Sequence, residues 1–297
     1  MAQLVNPIFI GGSGRSGTSL LFLLVERNNS CYGFSRRETK FIIAENGLVD
    51  LYYSLAENYN IDRAKTAIKR FKALVNALKT DGTFYKTDGL NSFLNDDKLY
   101  DEIVNDFIDK LWTKSGIPLY LNEAELLILI RNFLTNLCVN LKGYNIKRRF
   151  VEKTPHNFLH LNFLNKLFPD LKFLHIVRDP RGVAYSLTKQ NWAPNDFEQA
   201  CFWLLQIYEA FVGQKKFSKH TKINKFYQLK LEDLANENKE KIEQELSSFL
   251  RLKNFEINSN DADINEIDYW KNELTKEQIK VANFRLGKYI NYFGYQM

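Results

Sequence analysis

Short apolar runs separated by polar and glycine-rich stretches set the plan of this chain. Pro7-Ile8-Phe9-Ile10 is the first run and Leu20 to Val25 the second, with Gly11-Gly12-Ser13-Gly14-Arg15-Ser16-Gly17-Thr18-Ser19 between them. This pattern predicts a buried strand, a glycine-rich turn and a helix, then a strand-like piece around Cys31 to Phe34. Residues 47 to 145 read as helical and less regular. Within them Leu126-Leu127-Ile128-Leu129-Ile130, continuing to Leu141 without glycine or proline, predicts a buried helix. From 149 the alternation returns. Arg149-Phe150-Val151 predicts a short strand, and Thr154-Pro155 a helix start with a cap residue and proline at the first helical position. Leu171 to Val177 predicts a buried strand and Arg181 onward a helix. A longer helix is expected over Asp196 to Val212, and a strand over Lys225 to Leu229. Ile242, Leu246, Phe249 and Leu250 give the stretch Lys239 to Leu250 a helical apolar face. Strands separated by helices imply a parallel sheet covered on both faces. The expected fold is therefore α/β, a three-layer sandwich in one domain over residues 1–297, with 47–145 as a helical insertion.

Composition changes this picture little. The 297 residues carry a net charge of +6, spread along the chain with no basic tail, so a solvated surface explains it and no nucleic-acid partner is expected. Cys31, Cys138 and Cys201 lie far apart without metal-ligand spacing. They read as reduced core thiols, which favours a cytoplasmic protein, and no metal is expected. The first strand starts at once, no charged segment precedes a long apolar one, and no apolar run would span a bilayer. Neither a signal peptide nor a membrane span is expected.

The chemistry concentrates in two places. A strand, a glycine turn and a helix start make a phosphate cradle, because glycines let backbone N–H groups approach an anion and the helix N-terminus adds its positive dipole end. From Gly12 the spacing is that of a P-loop, but Thr18 stands where the lysine would be and Arg15 lies inside the loop. Such a loop is expected to hold a 5′-phosphate and to suit triphosphate chemistry poorly. The second place is Phe173-Leu174-His175-Ile176-Val177-Arg178-Asp179-Pro180-Arg181-Gly182-Val183-Ala184-Tyr185-Ser186-Leu187. Its strand delivers Arg178 to the C-terminal edge, where parallel sheets bind ligands, and Ser186 follows on the next helix. An ordinary strand exit, with Asp179 capping a helix, accounts for the same residues equally well.

Together the two motifs resemble the sulfotransferase family that uses 3′-phosphoadenylyl sulfate (PAPS), over about Val5 to Glu38 and Phe150 to Leu250. The resemblance implies that the loop Gly14, Arg15, Ser16, Gly17, Thr18 and Ser19 holds the 5′-phosphosulfate, and that Arg178 and Ser186 hold the 3′-phosphate. Arg36-Arg37-Glu38-Thr39-Lys40 resembles the Glu-Thr-Arg stretch of protein-tyrosine sulfotransferases and makes Glu38 the candidate base. Glu152-Lys153-Thr154-Pro155 resembles a segment of bacterial sulfotransferases, which makes Lys153 the cation on the leaving phosphate. Arg15 is expected to steady the sulfonate. His156 competes with Glu38, because small-molecule sulfotransferases carry Lys-Thr-His; here Pro155 displaces the histidine by one residue, about 100° around a helix.

Other positions depart from the family pattern or stay secondary. The late Tyr-Glu-Asp-Leu segment reads Leu231-Glu232-Asp233-Leu234, so one tyrosine hydroxyl is missing and Tyr227 is out of register. Arg285 and Lys288 are candidates for a basic C-terminal motif, while Trp192 and Trp203 are candidates for adenine stacking or for core. His160, His175 and His220 read as structural. The expected reaction is transfer of a sulfuryl group from PAPS to an acceptor hydroxyl or amine, with PAP leaving. The acceptor class stays open among carbohydrate, lipid, small molecule and peptide, and residues 47–145 are expected to shape its pocket. A PAP-binding module without activity and a P-loop phosphotransferase are the alternatives.

Overall fold

The computed structural model describes residues 4–34, 38–80, 89–218, 225–258 and 260–297. The chain opens with β1 (Ile8–Gly11), α1 (Thr18–Glu26) and β2 (Cys31–Gly33). A helical stretch follows: α2 (Leu48–Tyr52), running into a π-helical turn, then α3 (Ile61–Thr80), α4 (Asp97–Asp109) and α5 (Glu123–Val139). Next come β3 (Arg149–Lys153), a 3₁₀ segment Pro155–His160, α6 (Leu161–Leu167), β4 (Lys172–Val177), α7 (Pro180–Leu187), α8 (Phe197–Ser218) and β5 (Phe226–Lys230). The chain ends with α9 (Lys239–Leu250), α10 (Ile264–Asp268), α11 (Trp270–Glu273) and α12 (Lys276–Tyr292). The β1–β4, β2–β3 and β4–β5 pairings are all parallel, so the α/β class expected from the alternation is the fold observed.

Two compact units share these elements. The first comprises residues 1–7, 29–152 and 163–171. It pairs β2 with β3 in parallel, Tyr32 opposite Phe150. Its helices α3, α4 and α5 bury Ile68, Phe71 and Val75, Val104 and Phe107, and Ile130, Phe133 and Leu137. The repeat at three and four residues is what an amphipathic helix needs to bury one face. Phe107 stacks on Phe133 at 4.5 Å, and Phe71 meets Phe133 edge-on at 5.9 Å. Asn122 and Glu125 form a capping box that starts α5.

The second unit comprises residues 8–28, 153–162 and 172–297. Here β4 lies between β1 and β5, all parallel, with Ile10 opposite Leu174 and Leu174 opposite Tyr227. Every residue of β1 is buried, as a strand covered on both faces must be. Asp179 accepts the N–H of Arg181 and Pro180 occupies the first turn of α7, so the strand exit and helix cap expected there are present. The segment after Thr154 departs from expectation. It is a 3₁₀ helix, and the Thr154 side chain makes no cap bond. Helices α10 to α12 carry no expectation in the sequence reading, although Thr275 and Gln278 supply a capping box that marks the start of α12.

Two glycines fix the turn after β1 by geometry. A Cβ on Gly12 would stand 2.3 Å from the carbonyl oxygen of Ile176, and Gly17 has φ of 97° with a Leu231 methyl 2.6 Å from the Cβ position. Left-handed backbone costs an L-residue about 1–2 kcal/mol. Gly17→Ala is therefore expected to destabilise the protein by about 1–2 kcal/mol or more. A denaturant midpoint unchanged from wild type would show that the turn relaxes around the new side chain.

The three cysteines are buried and none forms a disulfide. Burial pushes the Cys201 thiol up to about 12 and Cys138 well above the ordinary thiol value, so neither is a nucleophile at neutral pH. Among the described residues no helix is long and apolar enough to cross a membrane.

Candidate active site

The loop between β1 and α1 is built to present N–H groups. Ser16 bonds back to the Ser13 carbonyl through both its N–H (3.1 Å) and its hydroxyl (2.6 Å), and Gly12 N–H donates to Pro155 O at 2.8 Å. Gly17 caps α1 without a side-chain bond, and no acidic residue lies in the first turn. The first-turn amides and the dipole therefore favour an anion. Thr18, in the place of the missing lysine, is buried. Arg15 holds a φ of 70°, a strained position for a non-glycine residue, which is the kind of local cost found at binding sites.

Three of the expected ligand residues converge in this unit. Arg15 Nε donates to Ser186 Oγ at 3.0 Å, joining the loop to α7. Arg178, at the end of β4, donates to the Arg15 carbonyl at 3.4 Å through one terminal nitrogen and to the Ile267 carbonyl through the other. Its Nε is buried with no hydrogen-bond partner. Burial lowers the pKa of this guanidinium, and the nearby charge of Glu232 opposes that fall. A half-buried cation with an unused donor has the chemistry to take an anion.

A cavity of about 870 Å³ opens beside these groups, lined by Arg15, Thr18, Ser19 and Arg178 on one side and by residues 260–267 on the other. The second wall carries Asp261, Asp263 and Glu266. Asp261 is paired with Arg27 at 2.8 Å, and Asp263 caps α10.

Lys153 ends β3 with its side chain only 1 % exposed, which removes the ordinary reading of a solvated surface lysine. Its ammonium donates to Ser19 Oγ at 3.3 Å, in the first turn of α1.

The other candidates are placed as follows. Glu38 lies in the first unit, half-buried; Arg36 and Arg37 fall outside the described residues. The hydroxyl of the next residue, Thr39, donates to Glu152 at 2.8 Å, and both partners are 1 % exposed. That bond fastens the segment carrying Glu38 to β3. His156 is half-buried on the 3₁₀ segment, its ring 6.4 Å from that of Phe158. His175 is buried among aromatic rings, with Phe158 at 5.2 Å and Phe211 at 4.6 Å, which is the structural role expected of it. His220 falls outside the described residues.

Arg285 and Lys288 pair with Glu198 and Glu209 on α8 rather than standing over the cavity. Trp192 is 47 % exposed, meets Trp203 edge-on at 6.0 Å and lies against Gly14 of the loop. Tyr227 bonds Glu245 at 2.5 Å. The hydroxyl on Glu232 comes instead from Tyr295, in the C-terminal tail, at 2.7 Å. No local motif announces Tyr295, so sequence reasoning passed it over.

The chain aligns over its full length with two solved domains. One is the sulfotransferase domain from the Synechococcus PCC 7002 olefin synthase (16 % identity, TM-score 0.55, 97 % of that chain covered). The other is the sulfotransferase domain from the curacin biosynthetic pathway (16 % identity, TM-score 0.50, 100 % of that chain covered). At this identity they speak for the fold. No curated protein sequence matches. The sequence itself decides the family: residues 7–256, from β1 and its lysine-free anion loop to beyond α9, match the family model described as "Sulfotransferase family", so the chain belongs to the sulfotransferases, whose reaction is transfer of a sulfuryl group.

Proposed function

We propose that this sulfotransferase takes its sulfuryl group from PAPS and passes it to an acceptor hydroxyl or amine by in-line displacement. The observation that carries the reading is the convergence of Arg15, Ser186 and Arg178, with a buried unpaired Nε, on the mouth of the anion loop. A nucleotide with phosphate at both its 5′ and 3′ positions asks for two anion sites. The loop and α1 amides offer one, and Arg178 with Ser186 the other. When bound, PAPS supplies an activated sulfuryl group on a phosphate leaving group.

The chain's own groups do the rest. Lys153 neutralises charge growing on the leaving oxygen, and Arg15 steadies the sulfonate. Glu38 takes the acceptor proton. The Thr39–Glu152 bond restrains the segment that carries Glu38. Thr18 in place of a loop lysine argues against triphosphate chemistry. Buried thiols outside any disulfide suit a reducing, cytoplasmic setting, and we assign the helical stretch 47–145 to shaping the acceptor pocket.

Calorimetry with PAP, set beside ATP plus magnesium, tests the donor. PAP is expected to bind and ATP with magnesium to bind far more weakly. Turnover of radiolabelled PAPS against a panel of hydroxyl and amine acceptors tests the reaction. Preference for ATP would overturn the reading in favour of a phosphotransferase, and PAP binding without turnover on any acceptor would leave a binding module.

A further inference from the structure

Leu231 stands where the family pattern has a tyrosine, and the hydroxyl that serves this segment arrives from the other end of the chain. Tyr295 donates to Glu232 Oε2 at 2.7 Å, while Glu232 Oε1 accepts the backbone N–H of Asp179 at 3.0 Å. Asp179 directly follows Arg178, and the Glu232 charge acts on the Arg178 guanidinium. A carboxylate and a buried, unpaired arginine Nε thus stand within electrostatic range without bonding each other. Each Glu232 oxygen accepts one of these bonds, and together they set where the carboxylate sits. Without the Tyr295 hydroxyl, the Glu232 oxygen is free to turn toward Arg178, where the attraction is between two full charges.

The tail is fixed for this task. Lys230 Nζ lies 4.4 Å from the centre of the Tyr295 ring and donates to the Gly294 carbonyl at 2.6 Å. Arg181, ion-paired with Asp179 at 2.7 Å, donates to the Gln296 carbonyl at 2.7 Å.

We propose that Tyr295 is a positioning residue that holds Glu232 off Arg178 and so keeps Arg178 available for the phosphate of the nucleotide. The inference rests on the assignment of Arg178 to that phosphate. Its consequence is that the segment after α12, which lies outside the matched family segment, sets nucleotide affinity without touching the nucleotide.

The test is PAP binding by calorimetry to wild type, Tyr295→Phe, Glu232→Gln and the double variant. Phenylalanine keeps the ring under Lys230 and removes only the hydroxyl. Tyr295→Phe is expected to weaken PAP binding by about tenfold, the scale of one bond to a charged group. Adding Glu232→Gln is expected to restore it, since a neutral amide does not compete for Arg178. Unchanged affinity in Tyr295→Phe overturns the proposal. So does a loss that Glu232→Gln fails to restore, which would mark a purely structural role. If Tyr295→Phe does not fold, Glu232→Gln alone decides: it must bind PAP at least as tightly as wild type, and weaker binding overturns the inference. Wild type failing to bind PAP would instead remove the donor assignment beneath it.

Discussion

Lys153→Ala is expected to lower sulfate transfer by about 10²–10³-fold while leaving PAP binding in place. The magnitude follows from where the charge sits. Lys153 is buried at the end of β3, its ammonium bonded to Ser19 in the first turn of α1. A cation held dry beside a helix N-terminus acts most strongly on negative charge that appears during the reaction, so removing it raises the barrier more than it weakens the ground state. The signature is a fall in kcat with the nucleotide KM little changed. A buried lysine also fills space, so Lys153→Met, which keeps most of the side-chain volume, separates lost charge from lost packing. Transfer near the wild-type rate in Lys153→Met, or equal losses in kcat and in PAP affinity, would remove the role assigned to this lysine.

Much of this was legible in the chain because it is encoded locally. The anion loop is written in consecutive residues, and Gly12 and Gly17 are dictated by one close backbone approach and one positive φ. The exit of β4 is equally local: Asp179 and Pro180 cap and start α7, and they place Arg178 at the strand end. Helix α9 matches its apolar spacing over the whole of Lys239–Leu250. What stayed hidden depends on long-range meetings. The Arg15–Ser186 bond spans 171 residues, and the Tyr295–Glu232 bond joins segments 63 apart. The wall 260–267 has no apolar periodicity to announce it, since it earns its order from Arg27 on Asp261 and Arg178 on Ile267. The missing tyrosine at 231 shows the same limit. A motif gap is visible in sequence, but the residue that serves the segment from elsewhere is not.

The choice between Glu38 and His156 as base is the second large effect. On an α-helix His156 would stand about 100° around from the family position. The segment is 3₁₀, where one residue turns about 120°, so the displacement from that position is larger than an α-helix would give. Its ring lies 6.4 Å from Phe158 in the second unit's own packing. Glu38, by contrast, adjoins a threonine whose buried bond to Glu152 restrains the local backbone. A positioned base contributes about 10²–10⁴-fold. Glu38→Ala is accordingly expected to lose about 10²–10⁴-fold in kcat, with PAP affinity near wild type. His156→Ala is expected to stay within a few-fold of wild type. Added formate should recover part of the Glu38→Ala activity, because a small carboxylate can enter the space left by the side chain, and it should do nothing for His156→Ala. A loss on that scale in His156→Ala, with Glu38→Ala near wild type, would move the base to the histidine and leave Glu38 a surface carboxylate.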